Sequence, residues 1–207
     1  MIKLYNKDCM EALKEFKDNQ FDLAIVDPPY GIGNFIPQNK IKGKFNKVKW
    51  NDKTPKKEYF KELKRVSKEQ IIWGANYYNC FNNKGGAIVW FKDVRHPNMS
   101  KCEIASYSRL KKVDFYRYDW SNTDKYNELR GADIHPCEKP VSLYEWLLMN
   151  YAKEGDKILD THLGSASIAI ACHNLGFDLE GYEIDKEYFE AAKKRLKQHQ
   201  SQMQLFL

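Results

Sequence analysis

The chain has 207 residues, of which 43% are hydrophobic, 14% aromatic and 30% charged. This length fits one domain with a sizeable core, the apolar share is too high for a disordered chain, and the charged share argues against a membrane protein. We therefore expect a single domain over residues 1–207. The N-terminal residues contain no apolar leader, and no stretch approaches the about 18 apolar residues of a membrane span, so we expect a cytoplasmic protein without a membrane partner.

The formal net charge of +6 permits a polyanionic partner but does not demonstrate one. The five cysteines lie far apart and form no Cys-x-x-Cys pair for zinc or redox chemistry. Their odd number cannot close into disulfides within one chain. Free thiols in a reducing compartment are therefore the simplest expectation.

Short apolar runs alternate with helical stretches along the chain, which predicts an α/β fold with helices on the faces of a sheet. The predicted strands cover residues 2–5, 21–26, 70–73, 87–91, 103–108, 113–118, 157–159 and 179–182. The predicted helices cover residues 8–16, 58–66, 141–151, 165–175 and 186–197. We interpret the strands at 103–108 and 113–118 as an antiparallel pair around Lys111-Lys112.

One segment, residues 31–57, lacks a sustained period of either kind and is predicted to be a mobile loop inserted into the domain. It holds eight lysines and one aspartate, a formal charge of +7, so the rest of the chain sums to −1. The predicted DNA-binding residues within it are Lys40, Lys42, Lys44, Lys47 and Lys49. A solvated, lysine-rich surface loop is the alternative interpretation.

A proline-rich tetrapeptide, Asp27-Pro28-Pro29-Tyr30, follows the apolar run at residues 21–26. Two successive prolines end strand pairing, exclude a helix and leave carbonyl oxygens without neighbouring N–H donors. Ligands of open α/β sheets bind at the carboxyl ends of the strands. Carboxylate and carbonyl acceptors beside an aromatic ring suit a planar group with an amine, such as a nucleobase. The tetrapeptide thus indicates a base-binding site, with an ordinary strand-ending turn as the alternative.

A glycine turn follows the strand predicted at 157–159 and precedes a predicted helix. Gly164 allows a tight turn, and the helix N-terminus presents free N–H groups, as a cofactor loop requires. The spacing of Gly164, Ala166 and Ala169 matches G-x-G-x-x-G/A with alanine at the second position. Glu183 lies 19 residues after Gly164, where an acid in this layout commonly binds ribose hydroxyls. A structural turn with a solvated glutamate is the alternative.

A third cluster, residues 135–140, precedes another predicted helix, which Pro140 could start at its first position. His135, Cys137 and Glu138 could suggest a metal site, but His162 and His173 have no matching spacing and there is no second ligand pair, so we expect no metal. Lys139 could pair with a ligand carboxylate, and an exposed loop lysine is the alternative.

Together these clusters resemble the DNA amino-methyltransferases, which transfer a methyl group from S-adenosylmethionine to adenine N6 or cytosine N4. The tetrapeptide at 27–30 precedes the cluster at 135–140 and the glycine turn at 160–166, an order similar to that of the permuted beta group of this family. The resemblance covers most of the chain. It implies a Rossmann-like methyltransferase sheet, mostly parallel, with helices on both faces, and S-adenosylmethionine as cofactor.

The resemblance also implies roles for single residues at a cofactor site. The glycine turn would form the wall for the methionine part of the cofactor, with Lys139 close to its carboxylate. Glu183 would hold the ribose, Ile184 would lie against the adenine ring, and Asp8 with Cys9 would read the adenine edge. The predicted cofactor-binding residues are Asp8, Cys9, Asp27, His135, Lys139, Pro140, Asp160, Leu163, Gly164, Ser165, Ala166, Glu183 and Ile184.

The predicted catalytic residues are Asp27, Pro28, Pro29 and Tyr30. In this family, the aspartate carboxylate and the Pro28 carbonyl would accept hydrogen bonds from the target amine, while Tyr30 would stack on the base. The sequence departs from the family at Thr161-His162, where proline and an aromatic residue are common, and at Ala166, which replaces a glycine.

Asp27 rather than serine at the head of the tetrapeptide resembles the adenine-modifying members, so we expect a DNA adenine-N6 methyltransferase. A cytosine-N4 methyltransferase and a catalytically inactive DNA-binding relative are the alternatives. Related tetrapeptides that begin with asparagine act on RNA or on protein glutamine. Dimerisation is common in the beta group, which leaves a homodimer as an open alternative to a monomer.

Overall fold

The computed structural model describes residues 1–33, 50–80, 85–92, 100–118, 134–135 and 137–203. Most of the basic segment, including all five predicted DNA-binding lysines, lies outside these ranges. Within them, no helix is both long enough and apolar enough to cross a membrane.

Eight strands form one sheet in the order β1-β8-β7-β2-β3-β5-β4-β6. The strands are β1 (Ile2–Asn6), β2 (Phe21–Val26), β3 (Ser67–Trp73), β4 (Ala87–Phe91), β5 (Cys102–Tyr107), β6 (Val113–Arg117), β7 (Lys157–Asp160) and β8 (Asp178–Glu183). All neighbours are parallel except that β5 runs antiparallel to β3 and β4. The predicted mostly parallel sheet is confirmed.

Six α-helices accompany the sheet in the described part of the chain: α1 (Cys9–Glu15), α2 (Lys57–Val66), α3 (Ala75–Tyr78), α4 (Val141–Tyr151), α5 (Ser167–Leu175) and α6 (Lys186–Met203). Alternating residues of β2 send Leu23 and Ile25 into the core under α4, α5 and α6. Ala24 and Val26 instead join the core under α1, α2 and α3. A sheet with both faces covered needs such continuous apolar strands, which is why β2 is apolar almost throughout.

The carboxyl ends of four adjacent strands bring acidic side chains to one edge of the sheet. Glu183 and Asp160 are the last residues of β8 and β7, and Asp27 directly follows β2. Asp8 follows β1 and begins α1 by accepting a 2.8 Å hydrogen bond from the Met10 N–H. The strand order therefore assembles one acidic edge from sequence positions more than 170 residues apart.

The predicted pairing of the strands near 103–108 and 113–118 is wrong. Both strands exist, but β4 lies between them and pairs with β5 in antiparallel and with β6 in parallel fashion. The chain after β5 crosses the start of β4, where the Ala87 N–H donates to the Lys112 carbonyl. Gly86 permits this crossing, because a Cβ at that position would overlap the Leu110 carbonyl. No tight hairpin turn forms, so β6 is carried to the far side of β4.

Smaller differences concern the ends of elements. α5 begins two residues later than predicted, at Ser167, because Ala166 adopts a left-handed conformation that is not helical. Pro140 precedes the first residue of α4 instead of being that residue. α6 continues to Met203, six residues beyond the predicted end at residue 197.

Candidate active site

The tetrapeptide forms a corner after β2 that is held by the far end of the basic segment. Two prolines stop strand pairing after Asp27, and the Tyr30 N–H donates a 2.8 Å hydrogen bond to the Asn51 side-chain oxygen. The Asn51 amide in turn donates to the Gly33 carbonyl at 2.9 Å, and the Gly33 N–H donates to the Asn51 carbonyl at 3.0 Å. The two ends of the basic segment therefore meet beside Tyr30.

The Asp27 carboxylate is bound by two groups of the protein. The Tyr30 hydroxyl donates to one oxygen at 2.7 Å, and the Lys139 ammonium forms an ion pair with the other. Lys139 is only 4% exposed, so this charge has been removed from water almost completely. The sequence interpretation placed Lys139 at the cofactor carboxylate, whereas in the structure its ammonium lies beside the proposed catalytic aspartate.

A second carboxylate, Glu103, extends this pair into a row of alternating charges. One Glu103 oxygen lies 2.9 Å from the Lys139 ammonium, and the other lies 2.8 Å from the Lys92 ammonium. Burial opposes ionisation of Glu103, but the two lysines outweigh it and lower its pKa to about 2. Burial raises the pKa of Asp27, Lys139 lowers it and the neighbouring Glu103 charge raises it, and the net shift is upward. Lys139, between two carboxylates, has a raised pKa despite its burial and stays protonated.

Aromatic rings surround Tyr30. The Tyr77 ring stacks on it with centroids 4.9 Å apart and planes 16° apart, and Tyr78 meets it edge-on at 6.2 Å. Gly74 lies against the ring, and a Cβ there would overlap the Tyr30 carbons. Gly74 also has φ +73°, a conformation that favours glycine. The segment after β3 thus forms a cradle for Tyr30.

The proline carbonyl that the family resemblance assigns to the target amine already has a partner. The Tyr78 hydroxyl donates a hydrogen bond to the Pro28 carbonyl oxygen. A carbonyl oxygen has two lone pairs, so this bond leaves one acceptor position. Pro28 itself is buried and Pro29 is half-buried.

A narrow cleft of about 120 Å³ opens at the edge of the sheet that also carries the tetrapeptide. It contains all four residues that the resemblance assigns to the adenosine part of a cofactor. Its lining residues are Asp8, Cys9, Thr161, His162, Glu183 and Ile184. Ile184 is 66% exposed, so its apolar surface is available to a flat ring. Burial raises the pKa of the Cys9 thiol to about 12, which keeps it neutral.

The glycine turn is tied to the acidic end of β8. The Gly164 N–H donates a 2.9 Å hydrogen bond to one Glu183 oxygen, and the Asp185 N–H donates to the other at 3.0 Å. These bonds fix the orientation of the carboxylate, although burial raises its pKa. Gly164 has φ +51° and Ala166 has φ +62°. The alanine thus occupies a position whose backbone favours the glycine that the family carries there.

The unusual Thr161-His162 pair is accommodated by a tyrosine of α2. The Tyr59 hydroxyl and the Thr161 hydroxyl are 2.6 Å apart, and the Thr161 oxygen lies 2.9 Å from His162 Nδ1. The Tyr59 ring meets the imidazole edge-on at 5.5 Å. Burial lowers the pKa of His162 to about 4, so the cleft is lined by a neutral imidazole at neutral pH.

The remaining predicted cofactor residues lie around the glycine turn. Leu163 and Ser165 are buried, and Asp160 accepts a 3.0 Å hydrogen bond from the His162 N–H. His135 lies beside Gly164 and meets the Tyr188 ring edge-on at 4.7 Å, and Pro140 is buried at the start of α4. No three His, Cys, Asp or Glu side chains of the described ranges form a group that could hold a metal ion.

A second cleft, of about 380 Å³, lies at the opposite edge of the sheet near the end of β5. Three of its polar side chains already have partners within the protein. The Tyr107 hydroxyl and Arg109 both bind Glu69, and the Tyr151 hydroxyl binds Asp114. We therefore place the chemistry at the smaller, acidic cleft.

Several residues of the site are not recognisable from the sequence. Glu103 and Lys92 lie in predicted or flanking strand positions without any distinctive spacing. Tyr77 and Tyr78 do carry a signal, since two aromatic residues follow Trp73-Gly74-Ala75-Asn76 at the end of a predicted strand.

The sequence of the chain is similar to those of named methyltransferases. It is 27% identical to the type II methyltransferase M.HpaI of Haemophilus parainfluenzae, in a match that covers 94% of this chain and 74% of that protein. It is 26% identical to the type II methyltransferase M2.DpnII of Streptococcus pneumoniae, over 93% of this chain and 88% of that protein.

Solved structures of methyltransferases share the fold. The M1.HpyAVI–SAM complex superposes with a TM-score of 0.62 at 24% identity, covering 94% of this chain and 100% of that one. The cytosine-N4-specific PvuII DNA methyltransferase superposes with a TM-score of 0.61 at 14% identity, covering 96% and 90%. The sequence model of the DNA methylase family matches residues 69–194, more than half of the chain. With the tetrapeptide, the glycine turn and the acidic edge in one sheet, this match shows that the chain belongs to the DNA methylase family of N6 and N4 amino-methyltransferases.

Proposed function

We propose that this protein transfers a methyl group from S-adenosylmethionine to the N6 amine of an adenine flipped out of DNA. The observation that carries the proposal is the position of Asp27 and Tyr30 at the sheet edge that also holds the cleft of Asp8, Glu183 and Ile184. The cofactor supplies an electrophilic methyl group on a sulfonium sulfur. The protein has to bind it, orient the amine and stabilise the charge that develops.

The cleft fits the adenosine part of this cofactor. Glu183 is preoriented by two backbone N–H bonds and can accept from ribose hydroxyls. The exposed Ile184 side chain offers an apolar face to the adenine ring, and Asp8 with Cys9 can read its edge. The glycine turn from Asp160 to Ala166 would then face the methionine part, with His135 and Pro140 behind it. Lys139 is assigned to Asp27 in this proposal, not to the cofactor.

The target amine would be oriented by Asp27 and by the free lone pair of the Pro28 carbonyl. An exocyclic amine is a poor nucleophile because its lone pair is delocalised into the ring, and two hydrogen bonds favour a pyramidal nitrogen with a directed lone pair. As the nitrogen–methyl bond forms, the methyl–sulfur bond would break and leave a neutral thioether. The positive charge that grows on nitrogen would be stabilised by the Asp27 carboxylate until the amine loses a proton to water. Stacking on the Tyr30 ring would contribute about 1 to 3 kcal/mol toward the cost of base flipping.

DNA is the proposed partner, contacted by Lys40, Lys42, Lys44, Lys47 and Lys49. The two ends of their segment meet at Gly33 and Asn51, beside Tyr30, which supports a role next to a flipped base. We also propose that the protein works in the cytoplasm, where a reducing environment would preserve its five free thiols.

Mass analysis of nucleosides tests the proposal. Unmethylated duplex DNA is incubated with the protein and isotopically labelled S-adenosylmethionine, and N6-methyladenine is the expected product. The variant Asp27→Ala should yield no labelled base while still binding the cofactor. N4-methylcytosine as the only product would instead support the cytosine alternative, and label in RNA but not in DNA would contradict both.

A further inference from the structure

Glu103 is a half-buried carboxylate that the proposed chemistry does not use. It is the second residue of β5, the one described strand that runs opposite to the rest of the sheet. A strand of reversed direction begins where its parallel neighbours end. For this reason Glu103 reaches the same edge as Asp27, from a part of the chain with no active-site sequence pattern.

The contacts of Glu103 connect it to the proposed catalytic aspartate through one lysine. Its Oε2 lies 2.9 Å from Lys139 Nζ and 3.3 Å from the Tyr30 hydroxyl oxygen, whose single proton is donated to the nearer Asp27 oxygen. Its Oε1 lies 2.8 Å from Lys92 Nζ. Lys139 and Tyr30 are also the two partners of Asp27, so the two carboxylates share the Lys139 ammonium and lie against the same hydroxyl.

We propose that Glu103 is a positioning residue that competes with Asp27 for Lys139 and thereby sets how much negative charge Asp27 presents to the target amine. This inference rests on the adenine methylation proposed above. If Lys139 paired with Asp27 alone, its ammonium would offset the charge needed to stabilise a cationic amine. A second carboxylate gives the ammonium another partner, toward which it can shift as the amine becomes positive.

Lys92 belongs to the same network of charged side chains. It holds the outer oxygen of Glu103 and partly neutralises it, so Glu103 attracts Lys139 less strongly than an isolated carboxylate would. The row Lys92, Glu103, Lys139, Asp27 contains two charges of each sign and is neutral before the base enters. Replacing Glu103 should therefore lower the pKa of Asp27, whereas replacing Lys92 should raise it.

Other groups also face Asp27 and are unchanged by these substitutions. They are Cys137 from the loop before α4, Tyr59 from α2, Tyr78 from α3, Tyr144 from α4, Asp160 from β7 and Tyr30 from the tetrapeptide itself. Burial keeps the four tyrosines neutral by raising their pKa values. Asp160 is the remaining acid in this set, and its contribution is common to all variants.

Two substitutions test the inference through the pH dependence of methyl transfer. In Glu103→Gln, Asp27 loses a negative neighbour and keeps Lys139 to itself, so its pKa falls. The acid limb of the rate profile should then move about one pH unit lower, and the plateau rate should fall about tenfold. In Lys92→Met, Glu103 attracts Lys139 more strongly, Asp27 becomes more basic, and the acid limb should move higher.

A titration of the Asp27 carboxyl by carbon NMR in the protein without DNA provides a readout independent of activity, with Asp27→Asn assigning the signal. Glu69→Gln is the matched control, because Glu69 lies near the start of β3, at the opposite edge of the sheet, and should leave both readouts unchanged. A merely structural role for Glu103 would lower the rate without moving either titration.

Opposite displacements in the two variants support the inference, and unchanged or equally directed displacements overturn it. If Glu103→Gln does not fold, Lys92→Met alone tests the inference. An upward displacement of the acid limb supports it, and an unchanged acid limb overturns it. A wild-type protein that fails to methylate adenine would refute the proposed function, whereas the NMR titration would still test the coupling of Glu103 to Asp27.

Discussion

Tyr30 keeps its orientation because Gly74 leaves room for its ring. We expect Gly74→Ala to displace the ring, since the new Cβ would overlap its carbons, and to lower the methylation rate at least about tenfold, because Tyr30 would no longer stack on the base. Binding of the cofactor, measured by calorimetry, should persist.

Gly155→Ala provides the control for this prediction. Gly155 also has a positive φ, of +85°, but a Cβ there would contact nothing within 4 Å. This variant should lose only about 1 kcal/mol of stability through backbone strain and keep its activity. Equal losses of activity in the two variants would mean that strain, not displacement of Tyr30, causes the defect.

Asp160 makes stability depend on pH. Burial raises its pKa to about 8, so between the ordinary value near pH 4 and pH 8 the folded state holds a proton that the unfolded state has lost. This contribution to the free energy of unfolding falls as pH rises through that window and is constant above it. Asp160→Asn removes it, so the variant should gain stability relative to the wild type between pH 5 and pH 9.

Urea unfolding at several pH values measures this effect. If the asparagine variant loses stability with rising pH as steeply as the wild type does, the pKa of Asp160 is not raised in the folded protein. Asp27 and Glu183 also have raised pKa values, so the slope of the free energy of unfolding against pH should decrease in the variant without vanishing.

At the scale of elements, α6 holds the glycine turn in place through Arg195. Its guanidinium pairs with the buried Glu138 and donates to the Ser165 carbonyl at 2.9 Å and to the Ser167 hydroxyl at 3.0 Å. One side chain thus connects the loop before α4, the glycine turn and the last helix.

We expect Arg195→Ala to destabilise the protein by about 3 to 5 kcal/mol, because the buried Glu138 carboxylate loses its ion pair with the guanidinium. Combining it with Glu138→Gln should recover part of the loss. Lys193→Ala, two residues earlier on the same helix and 4.0 Å from Glu190, should change stability by less than about 1 kcal/mol. Thermal unfolding measures all three, and a loss for Arg195→Ala as small as that for Lys193→Ala would contradict the role of the buried pair.

For the whole molecule, the net charge of +6 is the sum of two unlike parts, a +7 segment and a remainder of −1. Replacing Lys40, Lys42, Lys44 and Lys47 by glutamine should weaken DNA binding and reduce the slope of affinity against salt by up to about 0.9 per lost phosphate contact. Replacing Lys14, Lys193, Lys194 and Lys197, which lie exposed on α1 and α6, is the control for net charge. Equal salt slopes in the two variants would assign the segment to solubility alone.

Only part of the arrangement of this basic segment can be predicted from the sequence. The lysine cluster and its position after Tyr30 are visible in the sequence, but its closure through Asn51 is not, since one asparagine in a loop carries no distinctive pattern. Dimerisation remains a prediction from the family resemblance, and light scattering would test it.

The sequence by itself determined the alternation of strands and helices, the strand end at Asp27, the glycine turn and the acid at Glu183, because apolar periodicity, prolines and glycines act locally. Only the tertiary structure decided that β4 separates β5 from β6, that Lys139 pairs with Asp27 112 residues away, and that Glu103 joins them. Such contacts depend on strand order and direction, which arise from packing the whole sheet, and no local pattern around Glu103 or Lys139 encodes them.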